Sequence, residues 1–290
     1  MTWAQSIFLA FLQGLTEPFP MSSLGHAVIV PALIGWDVNL KAPEFLPFIT
    51  FLHLGTLFAF SSVFWRDWKA IFFGIFNSKN IETRAKAWRI LFLLALATLP
   101  AVIIGGIFEH KIRAIFASPL PVSIFLLLNG LLLLSAYKFC KNASDPITGL
   151  EKKNILEEDL THLNYKNVLI IGLWQCLALL PGFSRSGAAM IGGLTRKLSY
   201  YTAARISLLL AEPIILAATC KELLEMRHVP HKTNLLLQVG AGALVAGVTA
   251  YIAAMLLLKL FKKNNAILLK LFGIYCLTFG SGSALWFYFQ

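Results

Sequence analysis

The sequence predicts an all-α membrane protein of six transmembrane helices and two re-entrant helical hairpins, arranged as two inverted-topology repeats. Three observations predict it. Of 290 residues, 58% are hydrophobic and only 13% charged, a composition that suits a bilayer better than a soluble core. Six stretches, 46–64, 89–108, 119–139, 200–220, 234–258 and 266–288, stay apolar over the roughly 17–25 residues that a spanning helix needs. Two more, 3–35 and 166–198, are equally apolar but interrupted at their middles by Pro, Gly and Ser. Broken backbone at membrane depth has to be buried in protein, so these read as hairpins rather than spans.

The first repeat, 1–140, opens with the hairpin 3–35. Met1 to Leu12 has no basic leader and no small-residue cleavage site, so it is expected to remain as structure. Pro18 and Pro20 stop the first helix, and Ser22 or Ser23 offers a side-chain oxygen to cap the next. Spans 46–64, 89–108 and 119–139 follow. The linker 141–164 contains Asp145-Pro146 and a mixed-charge run from Glu151 to Asp159 and is read as cytoplasmic. The second repeat, 165–290, opens with the hairpin 166–198, where Pro181-Gly182 stops one helix and Ser184 can cap its successor. Spans 200–220, 234–258 and 266–288 complete it. Three spans per half is an odd number, so the second half sits upside down relative to the first, as in many transporters. A trace of the repeat survives: Gln13 to Gly25 aligns without gaps on Gln175 to Gly187, matching at Gln, Leu, Ser and Gly.

The net charge of +11 reports orientation rather than a nucleic-acid partner. If loop 65–88 is cytoplasmic, that side collects eighteen Lys and Arg against six on the other. The bias places both termini outside. Trp36 and Trp286 then fall at the outer interface, and Trp65, Trp68 and Trp88 at the inner one. Cys140, Cys176, Cys220 and Cys276 lack metal-ligand spacing and read as packing residues without disulfide or redox role.

The chemistry concentrates at the two breaks. Two helix N-termini are expected to point from opposite faces into one midplane cavity, where free N–H groups and the helix dipole favour an anion such as phosphate. Glu17, His26 and Arg185 are ionisable groups that a lipid-facing helix would exclude. Arg185 offers a bidentate fork for phosphate oxygens, with Gly182, Ser184 and Ser186 beside it and Ser22 at the facing break. His26 lies three residues after Ser23 and is expected to approach its hydroxyl as a base, or to attack phosphorus itself. Glu17 can orient His26, bind a cation, or do both. The bland readings stand alongside: Glu17 and Arg185 as a structural ion pair pinning the hairpins, the serines as mere caps, His26 as packing. Coincidence at both breaks favours the functional reading. His53, Glu109 and His110 have no such company and are read as structural or interfacial.

At these residues the sequence resembles the undecaprenyl-pyrophosphate phosphatase family associated with bacitracin resistance. Gln13-Gly-Leu-Thr-Glu17 with Ser22-Ser23-Leu-Gly-His26 is similar to the family's first motif, and Pro181-Gly-Phe-Ser-Arg-Ser-Gly187 to its second. The resemblance extends through essentially the whole chain. It implies removal of the terminal phosphate from undecaprenyl diphosphate at the outer face of a bacterial inner membrane, recycling the carrier for cell-wall synthesis. Glu17, Ser23, His26 and Arg185 are then the catalytic set. It also implies a divalent cation, Mg²⁺ or Ca²⁺. Two positions depart from the family pattern. Gln13 stands where a second Glu is common, and Ala189 where Thr is usual. Glu212, in a span where the family shows a small apolar residue, is a candidate replacement carboxylate beside Glu17 and Gln13 for that cation. Partners are the polyprenyl diphosphate lipid and the bilayer, with no nucleic acid; a homodimer is compatible with the sequence. The rival reading is a polyprenyl-phosphate transporter without hydrolysis, since inverted repeats with broken helices also build carriers. A third, lipid phosphatases with Ser-Gly-His and Ser-Arg-His motifs, fits poorly because no second His follows Ser184-Arg185.

Overall fold

The computed structural model describes residues 1–36, 45–77, 79–108, 112, 115, 118–140, 164–225, 232–262 and 266–290. The linker 141–163, Glu109 and His110 lie outside the described residues. Among those described the chain is all helical, without a β-strand.

Helix α1 (Trp3–Thr16) starts in a capping box in which the Thr2 hydroxyl accepts from the Gln5 N–H and the Gln5 carbonyl oxygen accepts from the Thr2 N–H. It ends before Pro18, and α2 (Ser23–Leu33) restarts after a six-residue break. Helix α3 (Phe45–Val63) and α4 (Trp65–Phe76) meet at Phe64 with a 74° bend. Helices α5 (Ile81–Ile107) and α6 (Pro119–Cys140) complete the first half. In the second half, α7 (Tyr165–Gln175) runs into a 3₁₀ turn (Cys176–Leu179) before the break, and α8 (Arg185–Thr195) follows. Then come α9 (Tyr200–Leu209), α10 (Ala211–Glu225), α11 (Lys232–Lys262) and α12 (Ile267–Phe289).

Among the described residues, five segments are long and apolar enough to cross a membrane: Ile81–Phe108, Pro119–Phe139, Tyr200–Leu224, Leu237–Lys262 and Ile267–Phe289. The bent pair α3–α4 makes up to a sixth. Two expected spans are therefore not simple rods. The stretch 46–64 is one arm of the bent pair, and 200–220 breaks at Leu210. Pro213 explains the second break: its ring would meet the Leu209 carbonyl and it has no N–H to offer it, whereas in the first turn of α10 the missing donor costs nothing.

The surface of the long helices is apolar, with Phe92, Ile103, Leu244, Ile252 and Leu271 all exposed, as befits a lipid-facing exterior. Inside, α6 packs along α12, α11 along both α1 and α3, and α5 along α4 and α7. Close approach depends on small residues. A Cβ on Gly55 of α3 would sit 1.8 Å from the Ala243 carbonyl oxygen of α11, so that crossing exists only with glycine. Each hairpin's first helix leans on a long helix of the other half, α1 on α11 and α7 on α5.

Candidate active site

At the first break, Glu17 is the C-cap of α1, its N–H donating to the Gln13 carbonyl at 2.9 Å. The chain then turns through Pro18-Phe19-Pro20-Met21 to Ser22. Ser22 sits at φ 63, a left-handed conformation that costs a serine on the order of 1 kcal/mol. Three hydrogen bonds hold it there. Its hydroxyl accepts from the Gly25 N–H at 3.1 Å, and its carbonyl accepts from the backbone N–H of His26 at 3.2 Å and from His26 Nδ1 at 2.7 Å.

His26 is thereby accounted for, and not as expected. With Nδ1 facing a carbonyl, Nδ1 carries the proton and Nε2 accepts from the Tyr275 hydroxyl at 2.7 Å. The ring stacks against Tyr275 and Phe279 and is 2% exposed. The expected approach of His26 to Ser23 is therefore corrected. Helical spacing puts them on one face, but the rigidity of the Ser22 turn claims the imidazole.

The Ser23 hydroxyl instead donates to Glu17 Oε2. The other oxygen, Oε1, accepts from Arg185 Nη2 at 2.9 Å. Arg185 is the first residue of α8, placed by the second break, where Gly182 at φ 114 turns the chain against α6. A Cβ on Gly182 would meet the Val122 carbonyl at 2.4 Å. Gly182 thus serves the turn and the α6 contact, and it is not among the groups lining the cavity between the breaks. Arg185 Nη1 donates to the Ser207 carbonyl at 3.1 Å, in the last turn of α9.

The serines of the second motif act mainly as staples. Ser184 caps α8 through the Gly187 N–H at 3.1 Å, and the Ser186 hydroxyl donates to the Phe19 carbonyl at 3.0 Å across the two breaks. Asn129 of α6, which sequence reasoning passed over, ties the breaks directly. Its amide nitrogen donates to the Pro20 carbonyl at 3.0 Å and its carbonyl oxygen accepts from the Ser184 N–H at 3.1 Å. An Asn inside an apolar span was the available signal.

A cavity of about 210 Å³ opens between the breaks, lined by Glu17, Ser22, Ser23, Ser184, Arg185 and Ser186 together with apolar groups such as Leu179, Ile214 and Ile215. His53 of α3 also lines it, with Nε2 3.3 Å from Glu17 Oε2. The reading of His53 as structural or interfacial is thus corrected: α3 brings it to the site from a stretch with no local signal. Glu212 is corrected in the opposite sense. Its carboxyl accepts from Ser61 Oγ at 2.5 Å and from Trp68 Nε1 at 2.9 Å, so it braces the α3–α4 bend and is not among the cavity's lining groups. Trp68 correspondingly serves Glu212 rather than an interfacial belt alone. A second buried ion pair, Arg205 to Asp67 at 2.5 Å, ties α9 to α4. Both side-chain amide atoms of Gln13 are buried without a hydrogen-bond partner among the described residues, as is Gln175 Oε1.

Hydroxyl, carboxylate and guanidinium gathered where two broken helices meet define a class: a polytopic membrane protein with a buried polar centre. The chain belongs to the bacitracin resistance protein BacA family, which it matches over residues 6–282. It is 48% identical to the undecaprenyl-diphosphatase of Gluconobacter oxydans, with 97% of each chain covered. To the protein of that name from Gluconacetobacter diazotrophicus it is 46% identical, covering 98% of this chain and 96% of the relative. To that of Granulibacter bethesdensis it is 41% identical, covering 100% of this chain and 98% of the relative.

Proposed function

We propose that the chain hydrolyses undecaprenyl diphosphate to undecaprenyl phosphate and inorganic phosphate, recycling a lipid carrier for cell-wall synthesis and giving bacitracin resistance. One observation carries the mechanism: the Ser23 hydroxyl donates to the Glu17 carboxylate in a cavity that also holds Arg185. Nucleophile, base and phosphate-binding cation are preassembled. Ser23 Oγ attacks the terminal phosphorus as Glu17 Oε2 takes its proton, and the bridging P–O bond breaks to release the polyprenyl monophosphate. Water then attacks phosphoserine, Glu17 returns its proton to Ser23 Oγ, and the water proton leaves with phosphate. The positive charge of Arg185, with the N–H groups it does not spend on Glu17 and Ser207, and the N-termini of α2 and α8 stabilise the charge on the transferring group. A pure carrier would need Arg185 and the helix ends but has no use for Ser23 aimed at a carboxylate.

The cavity is smaller than the roughly 300–1,000 Å³ of pockets that enclose whole drug-sized ligands. It suits the diphosphate and the start of the prenyl chain, leaving the rest in lipid. A divalent cation fits in one mode. Among the described residues no cluster of three or more His, Cys, Asp or Glu could hold a metal, and Glu17 is the only carboxylate lining the cavity. Magnesium, however, is often held by one or two carboxylates plus substrate phosphates. Glu17 would hold it together with the substrate phosphates, and bound there it would neutralise diphosphate charge. Gln13, one turn earlier on α1, is buried with its amide unpartnered among the described residues but is not among the groups lining the cavity.

The arrangement we infer is six spans and two re-entrant hairpins as inverted repeats, 1–140 and 165–290, in the bacterial inner membrane. Both termini and the site's opening are periplasmic. The crossed packing of α1 on α11 and α7 on α5 supports the repeat. Purified protein given undecaprenyl and farnesyl diphosphate, with and without divalent cation, should release phosphate. Release from neither would overturn the hydrolase reading.

A further inference from the structure

Arg–carboxylate pairs favour a bidentate geometry in which both carboxylate oxygens face the guanidinium fork. Glu17 departs from this. Arg185 gives it one N–H and spends Nη1 on the Ser207 carbonyl, while Oε2 turns away toward Ser23. Two groups meet that second oxygen, the Ser23 hydroxyl that donates to it and His53, with Nε2 at 3.3 Å. Ser23 is the group to be deprotonated, which leaves His53 as the one that can fix the carboxylate independently of the reaction. His53 is itself fixed. Its Nδ1 lies 2.8 Å from the Ile49 carbonyl one turn earlier on α3. A carbonyl can only accept, so Nδ1 is a donor and the ring plane is set by the helix, with Nε2 aimed at Glu17. The imidazole side chain is 14% exposed and faces the cavity.

We propose that His53 is a positioning residue for the hydrolysis, holding Glu17 Oε2 in line with the Ser23 hydroxyl while Oε1 alone serves Arg185. This rests on the hydrolase reading with Glu17 as base. Without His53 the carboxylate swings into the guanidinium fork, which both removes the base from Ser23 and occupies donors that Arg185 owes to phosphate. The loss therefore falls on the chemical step. His53 acts through Glu17 and keeps its own protons through both half-reactions.

The test uses the full-length protein in detergent with saturating farnesyl or undecaprenyl diphosphate, measuring kcat and KM. His53→Leu should lower kcat by roughly 10²-fold, the scale of a misplaced reacting group, with KM within about threefold of wild type. His53→Gln, whose amide N–H can reach the same oxygen, should recover most of the rate. The double variant Glu17→Gln/His53→Leu should be no slower than Glu17→Gln alone, because a residue acting through another adds nothing once that partner is gone. Wild-type kcat in His53→Leu, or losses that multiply in the double variant, would overturn the assignment. If His53→Leu does not fold, His53→Asn, which falls short of Glu17, replaces it: slow turnover restored by His53→Gln supports the proposal, and undiminished turnover defeats it. A wild-type protein that releases no phosphate would sink the hydrolase reading instead, whereas an active wild type with indifferent His53 variants sinks this inference alone.

Discussion

Arg185 does two jobs with one planar group, binding Glu17 through Nη2 and the α9 carbonyl of Ser207 through Nη1. Lysine cannot divide its charge in this way. Arg185→Ala should therefore abolish phosphate release while the protein still folds, and Arg185→Lys should remain poor; wild-type turnover in either would remove Arg185 from the site. Ser23 and His26 are separated by a sharper test. Because Ser23 faces Glu17 and His26 is spent on Ser22 and Tyr275, trapping during turnover should find phosphate on Ser23 and none on histidine. His26→Ala should destabilise the protein by about 1–3 kcal/mol, since it leaves the Ser22 turn and the Tyr275 hydroxyl short of a partner. A phosphohistidine at position 26, or an unchanged melting temperature in His26→Ala, would contradict this assignment.

Broken helices are costly unless something holds their ends, and in this protein single polar side chains on neighbouring helices do so. Asn129 of α6 satisfies one backbone group from each break. Asn129→Leu would leave the Ser184 N–H buried and unpaired, at roughly 1–3 kcal/mol, and the Pro20 carbonyl with only the weak Cys276 thiol donor. The hairpins should loosen, seen as a lower thermal midpoint together with a lower kcat. If the midpoint does not move, Asn129 is not the tie. Glu212 braces a different break. Its hydrogen bonds run to Ser61 and Trp68 on either side of the α3–α4 bend, so Glu212→Gln should leave rate and cation requirement unchanged. Loss of the cation requirement in that variant would return Glu212 to the active site.

For the molecule as a whole, the asymmetry of eighteen basic residues against six predicts the orientation, and an odd number of spans per half predicts the inversion we infer. A cysteine introduced at Asn77, at the end of α4, should be labelled by an impermeant thiol reagent only from the cytoplasmic side, and one at Gln290 only from outside. Labelling of the Asn77 position from outside would reverse the inferred topology and close the site to the periplasm.

Much of this was legible before any fold was known, because bilayer physics writes itself into composition. Apolar runs of spanning length, the Pro-Gly-Ser breaks near 17–22 and 180–184, and the intramembrane Glu17 and Arg185 are local features that lipid forbids without a reason. The caps at Ser22 and Ser184 likewise follow from backbone donors that have to be satisfied at any helix start. What tertiary structure decided is which polar groups meet. Ser23 and His26 share a helical face, yet the strained Ser22 carbonyl captures the imidazole, and the group that meets the Ser23 hydroxyl is Glu17 from the preceding helix. His53 and Asn129 sit in apolar spans whose sequence says nothing of what they face; α3 delivers one to Glu17 and α6 delivers the other to both breaks. Glu212, matched to the site by charge alone, is claimed by a bend at Phe64 that no neighbouring Pro or Gly announces. Helix formation and membrane insertion depend on short windows of sequence, whereas the site depends on how those helices pack, and packing is settled by side chains far apart in the chain.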